Sequence, residues 1–133
     1  MPTPDRRTVA FDDEDSISAE ALETFPYDGV EQEVVCETDE FSAVCPYSGL
    51  PDIARVRVTY VPSDCCVELR SLKYYYLSYR NVGIYQEHVT DRILRDLRRL
   101  LSPRRLCVET EYNVRGGIHT TCRAEYVDDA CAH

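Results

Sequence analysis

Cys45, within "FSAVCPYSGLPDIA" (residues 41–54), sits in a stretch broken by Pro46, Gly49 and Pro51, with Asp52 seven residues further on. Breaker-rich connections run over the surface and often carry function, so a thiol placed there is poorly suited to filling a core. A cysteine attacks as its thiolate, and an aspartate brought back beside it can move a proton, which together would suit covalent catalysis. The competing assignment is a packed thiol with an aspartate that fixes the turn, and spacing alone does not separate the two.

Two further carboxylates invite the same double reading. Glu68 precedes a predicted helix and Glu87 opens the first turn of another. Carboxylates are favoured there by the helix dipole and the unpaired amides, yet each can also accept two adjacent N–H donors from a planar, guanine-like ligand edge. The cations available for phosphates are Arg70, Lys73 (the only lysine) and Arg115, which stands in an Arg-Gly-Gly turn. There is no G-x-G-x-x-G and no Walker loop, so a nucleotide would need a site of another kind.

The elements that position these groups show in the residue pattern. "RVRVTYV" (55–61) alternates as a half-buried strand does, and Pro62-Ser63-Asp64 turns the chain into "CCVEL" (65–69), a second short strand. "SLKYYYLSYRN" sets Leu72, Tyr75, Tyr76 and Tyr79 on one helical face, with Ser71 available as N-cap and Gly83 as the break. "IYQEHVTDRILRDLRRLL" aligns Tyr85, Val89, Ile93, Leu97 and Leu100 before Ser102-Pro103 stops it. "LCVETEYNV" and "IHTTCRAEYV" alternate around Arg115-Gly116-Gly117 as a closing hairpin. The order predicts an α+β domain in which two antiparallel helices cover one face of a four-stranded antiparallel sheet. Its open edges invite pairing with neighbouring subunits, so a homo-oligomer is expected.

Composition narrows the classes. A length of 133 residues suits one domain. Residues 1–40 hold 13 acidic and 2 basic side chains, whereas residues 41–133 hold 11 and 13, so the overall charge of −9 belongs to the N-terminal part. Residues 1–25 read as an acidic leader, flexible or loosely docked, and residues 26–133 as the catalytic domain. The charge argues against direct nucleic-acid binding. No apolar run approaches the roughly 20 residues needed to cross a bilayer, and the N-terminus lacks a signal-peptide pattern, so a cytoplasmic protein without a membrane partner is expected. The seven cysteines lack any C-x-x-C and are odd in number, which reads as free thiols. Zinc held by some of them with His88 or His119 would lack the usual paired spacing, and no metal is expected.

Read together, these segments resemble the NADPH-dependent 7-cyano-7-deazaguanine reductases of queuosine biosynthesis, in their short single-domain form. Residues 68–75, "ELRSLKYY", match that family's signature at seven of eight places, with Arg70 where lysine is usual. "CPYSGLPD" looks like its catalytic segment, "SYRNVGIYQE" like its substrate-binding stretch and "RGGI" like its C-terminal turn, while Gln86 stands where histidine is common.

The resemblance implies the tunnel fold in ββααββ order, with pentameric rings that pair into a decamer and active sites at subunit interfaces. It implies Cys45 as the nucleophile that forms a thioimide with the nitrile, and Asp52 as the proton donor. Val67, Glu68, Leu69, Gln86 and Glu87 would hold the deazaguanine, while Leu69, Arg70, Lys73, Arg115 and Gly116 would lie near NADPH. Three rivals remain at this stage: a relative of the same fold that forms an amidine on nitrile-bearing tRNA, a zinc-dependent pterin or purine hydrolase of that fold, and a non-catalytic acidic scaffold.

Overall fold

The computed structural model describes residues 11–129. The chain runs β1 (Thr24–Pro26), β2 (Val34–Val44), β3 (Pro51–Val61), β4 (Cys65–Val67), α1 (Leu69–Leu77), α2 (Gln86–Leu101), β5 (Arg105–Tyr112) and β6 (Thr121–Val127). Strands β2, β3, β5 and β6 form one antiparallel sheet in the order β2-β3-β5-β6. This is the expected α+β arrangement of four antiparallel strands and two helices.

Strict alternation explains which face is covered. Ala54, Val56, Val58 and Tyr60 of β3 are buried together with Leu106, Val108, Thr110 and Tyr112 of β5. The intervening Arg55, Arg57, Glu109 and Glu111 turn to the opposite, charged face, where Arg55 meets Glu37 and Arg123 meets Glu125. The stripe Val89, Ile93, Leu97 and Leu101 of α2 is buried in the same core, as its helical spacing requires.

The strand partners differ from the sequence expectation in one respect. Residues 65–69 were expected in the main sheet, but β4 pairs instead with β1 in a separate two-stranded ribbon, Thr24 opposite Val67. The place beside β3 is taken by β2, whose alternation is hidden by a register shift between Thr38 and Phe41. A bulge of this kind flips which residues face the core, so no single period-two pattern spans the strand.

The leader also differs over its described part. Within residues 11–25, Ile17 and Leu22 enter the hydrophobic core, the Ser18 and Glu23 N–H groups donate to Ser78 and Ser71 of the α1 segment, and Thr24 and Phe25, both exposed, belong to β1. Residues 1–10 lie outside the described residues.

Helix α1 begins earlier than expected. Its N-cap is Glu68 rather than Ser71, with the carboxylate accepting from the backbone N–H of Arg70 (2.9 Å) and Ser71 (2.8 Å). Ser71 instead donates from its hydroxyl to the Glu68 carbonyl at 2.7 Å and accepts from the Glu23 N–H at 2.9 Å.

The two helices are joined by a buried polar knot. The Tyr75 hydroxyl donates to Asp96 Oδ2 at 2.6 Å, Arg92 Nε donates to the same oxygen at 2.8 Å, and the Tyr75 and Tyr79 hydroxyls lie 2.7 Å apart. Burial pushes the Tyr75 phenol far above its ordinary range, so it remains a donor. Asp96→Ala would leave the buried Tyr75 hydroxyl without its acceptor and a part-buried guanidinium without its counter-charge, and is expected to cost about 3 kcal/mol of unfolding free energy in a urea titration. A loss within about 0.5 kcal/mol would contradict the assigned role.

Candidate active site

The site grows from the β2–β3 hairpin. Its ladder continues one step beyond the strands, with the Cys45 N–H donating to the Leu50 carbonyl at 2.9 Å, and Gly49, at φ 72°, closing the turn onto the Cys45 carbonyl at 2.8 Å. Ala43 stands opposite Asp52 in the register. Cys45 is therefore the diagonal neighbour of Asp52, a relation that sets side chains on the same face roughly 7–8 Å apart.

Backbone bonds tie this hairpin to α2. Val44 donates to the Val82 carbonyl at 2.9 Å and accepts from the Ile84 N–H at 3.0 Å, two residues before Gln86 opens the helix. On the far side of that segment Asp12 bonds to Asn81 and Gly83, and Phe11 packs so closely over Gly83 that any Cβ would collide with the ring. Within α2, Thr90 donates to the Gln86 carbonyl at 3.2 Å and shares a 2.6 Å hydroxyl contact with Thr110 of β5.

Asp52 is 6% exposed at the start of β3. Burial, the largest influence, raises its carboxyl above the ordinary range, while the Arg115 guanidinium and, less strongly, the Gln86 amide act in the opposite direction. Arg115 Nη1 donates to Asp52 Oδ1 at 3.1 Å and also to the Pro51 carbonyl. The Arg115-Ile118 backbone bonds close a two-residue turn in which Gly116 and Gly117 both have positive φ, 59° and 79°. A Cβ on either glycine would meet nothing, so the requirement there is conformational.

Tyr112 was missed by the sequence reading. Its phenol is raised by burial first and then by the Asp52 and Cys122 charges, with Glu87 a lesser influence. Its buried hydroxyl has no well-aligned hydrogen bond among the described residues, although Thr110 lies within reach on the same strand. The only sequence signal was its place in the core-facing phase of β5.

The remaining predicted residues form a second cluster. Val67, Glu68, Leu69, Arg70 and Lys73 surround the start of α1, where the Val67 N–H already donates to the Tyr60 hydroxyl at 3.1 Å. A groove of about 340 Å³ opens there between Val35, Cys36, Glu37 and Thr38 of β2 and Leu69, Leu72, Lys73 and Tyr76 of α1. Its apolar walls and the exposed ammonium of Lys73 suit a ligand that combines flat rings with phosphate, so the residues present fit a nicotinamide dinucleotide. Cys45 lies beyond the opposite end of β2. At about 3.3 Å per residue, the two clusters are roughly 20 Å apart within one subunit.

Among the described residues no group of three or more His, Cys, Asp or Glu side chains is arranged to hold a metal ion, and no helix is long and apolar enough to cross a membrane. Burial raises the thiols of Cys36, Cys65 and Cys107, which matches the behaviour of small packed hydrophobes.

Comparison with known proteins fits this geometry. The family described as QueF-like protein matches residues 51–130. The chain is 52% identical over 122 residues to the NADPH-dependent 7-cyano-7-deazaguanine reductase of Thermotoga maritima, which covers 91% of this chain and 89% of that protein. It is 51% identical over 114 residues to the reductase of the same name from Caldicellulosiruptor bescii, with 84% and 87% covered. Among solved structures it matches the apo archaeosine synthase QueF-Like with a TM-score of 0.64 at 21% identity, over 74% of this chain and 95% of that one. That likeness concerns the fold, which is the tunnel fold. The chain belongs to the QueF-like family, in the company of its NADPH-dependent 7-cyano-7-deazaguanine reductases.

The electrostatics of Asp52 can be tested directly. Arg115→Ala removes the leading influence that lowers its pKa, so the Asp52 carboxyl should titrate at higher pH than in the wild type when followed by ¹³C NMR of labelled aspartate. An unchanged midpoint would mean that the pair is not formed in solution.

Proposed function

We propose that this chain, an NADPH-dependent oxidoreductase of the QueF-like family, reduces the nitrile of 7-cyano-7-deazaguanine to an aminomethyl group through a covalent adduct at Cys45. The observation that carries the reading is the diagonal placement of Cys45 and Asp52 on one hairpin, with the amide of Gln86 turned toward the carboxyl. A nitrile is a poor hydride acceptor. Addition of Cys45 Sγ to its carbon, with a proton from Asp52 to its nitrogen, gives a thioimide whose C=N bond accepts hydride. NADPH, when bound, supplies the two hydrides that the conversion consumes. After the first reduction the C–S bond breaks with its electron pair returning to sulfur, and Asp52 again stands where the nitrogen needs a proton.

Glu87 and Gln86, at the first turn of α2, would hold the deazaguanine from the side of the thiol. Glu68, Val67 and Leu69 would do so from the other cluster. The Glu68 carboxylate already accepts two backbone N–H bonds, and it would meet a ligand through its remaining lone pairs. Leu69, Arg70 and Lys73 would line the dinucleotide groove, with Arg115 and Gly116 approaching from the hairpin turn. Arg70 keeps the charge that lysine would bring but changes its hydrogen-bond geometry.

The separation of roughly 20 Å between the clusters supports a site completed by a neighbouring subunit, as in paired pentameric rings built by adding strand to strand at open edges. The amidine-forming alternative has the weaker support, because the archaeosine synthase likeness stands at 21% identity and the reductase likeness at 52%.

Two measurements test the reading. Mixing protein, NADPH and 7-cyano-7-deazaguanine should consume two NADPH per aminomethyl product counted by mass spectrometry, with Cys45→Ala inactive. An active Cys45→Ala protein would refute the mechanism, and a nitrile adduct on Cys45 without NADPH loss would favour amidine formation. For the shared site, Cys45→Ala and Lys73→Ala subunits, each inactive or weak alone, should regain about a quarter of wild-type activity when dissociated and reassembled one to one, since each interface draws its halves at random. No regain would place both halves within one subunit.

A further inference from the structure

We propose that Arg115 couples binding of the cofactor's phosphates to the loading of a proton onto Asp52. This rests on the reading above that Arg115 faces NADPH. In the isolated subunit the guanidinium holds Asp52 Oδ1 at 3.1 Å and the adjoining Pro51 carbonyl. A guanidinium at this distance favours the carboxylate form of Asp52, which has no proton to give. The reduction nevertheless requires Asp52 as a donor, so the pair seen here is the unloaded state of the site.

The surroundings of Asp52 make Arg115 the deciding charge. Facing this region are the Gln86 amide and Glu87 carboxylate from α2, the Tyr112 phenol from β5, the Cys122 thiol from β6 and the Cys45 thiol from the hairpin loop. None of these five carries a positive charge. If the guanidinium leaves, a side chain only 8% exposed keeps a carboxylate without its counter-charge, and taking a proton from solvent becomes the favourable outcome.

Arg115 is mounted for such an exchange. Its side chain is 36% exposed, in contrast to its partner, and stands on a hairpin turn made of two glycines. The guanidinium fork binds phosphate oxygens at least as well as a single carboxylate oxygen, and can do so with two parallel bonds. Arg115 can therefore give up Asp52 Oδ1 for a phosphate without leaving its charge unpaired.

The stoichiometry of the reaction agrees. Conversion of a nitrile to an amine takes up two hydrides and two protons, and each NADPH carries one hydride. One proton drawn from bulk water onto Asp52 for each dinucleotide bound supplies the missing half, while Cys45 enters as its thiolate and leaves as a thiolate when the C–S bond breaks. Hydride and proton are thus delivered in equal number.

The test uses NADP⁺, which binds without reacting. It is titrated into weakly buffered whole protein with a pH indicator, from about pH 5 to about pH 8, while binding is followed by calorimetry. The wild type should take up close to one proton per site at the most responsive pH. Asp52→Asn should bind NADP⁺ and lose that uptake, while Arg115→Ala should bind about tenfold or more weakly and also lose it. Equal uptake in Asp52→Asn, or none in a wild type whose NADP⁺ affinity depends on Arg115, would overturn the coupling and leave the cofactor reading intact. Unchanged NADP⁺ affinity in Arg115→Ala would overturn that reading, and the coupling with it. Infrared difference spectra of the unaltered protein decide the matter without a variant: a protonated-carboxyl band must appear when NADP⁺ is added, or the proposal is wrong.

Discussion

Val44 makes two backbone bonds to the segment Val82–Ile84, and the geometry of the candidate site depends on them. They are the point at which the end of the sheet is fastened to the start of α2. On one side of the bond pair the chain enters the Cys45 loop; on the other it enters Gln86 and Glu87. Without this joint the thiol and the first turn of the helix would belong to two elements free to drift, and a reacting atom would have no fixed place between them. Phe11 and Asp12 close over the outer side of the same segment, so three stretches far apart in sequence are stacked at one corner of the subunit.

The tyrosine-rich face of α1 serves a different purpose from the one its residue types suggest. Tyr75 and Tyr79 are fully buried and offer a ligand no face to stack on, whereas Tyr76 also reaches the wall of the groove beside Lys73. Tyr76 and Tyr79 pack against Phe41 and Tyr75 packs against both of them, with ring centroids 5.1 to 5.9 Å apart and the Phe41–Tyr76 and Tyr75–Tyr79 pairs edge to face, and Tyr75 and Tyr79 hand their hydroxyls to the Asp96 network. A buried acid that accepts both a phenol and a guanidinium fixes the azimuth of α2 relative to α1. Apolar packing alone would leave that rotation less defined.

Much of this architecture was legible because local and tertiary preferences agree. The stripe of α2, the Ser102-Pro103 stop and the Gly116-Gly117 turn each have a physical cause confined to a few residues. Strand β2 was not legible, since the bulge between Thr38 and Phe41 breaks the period on which strand recognition rests. The partner of β4 was hidden because three-residue strands pair through backbone groups that leave almost no trace in side-chain pattern. Among site residues, the seven-residue spacing put Asp52 within sequence reach of Cys45, but the hairpin that sets Ala43 opposite Asp52 was not visible in the residue pattern. Glu68 was more ambiguous: a carboxylate before a helix suits both a cap and a ligand contact, and its bonds to Arg70 and Ser71 show the first without speaking to the second. The pairing of Arg115 with Asp52 crosses 63 positions of chain, which no local pattern reports.

The bulge in β2 has a bearing on growth as well as on shape. β2 is an outer strand, and a straight outer strand accepts another copy at several offsets, which is how open-ended ribbons form. With the pleat interrupted near its middle, the halves on either side of Asp39 and Glu40 present their free backbone groups in different phases. An incoming strand can match one half or the other but cannot slide along both. The irregularity that obscures the strand in the sequence therefore acts as a ruler for register: a straight strand laid along this edge can stay in phase with only one half of it.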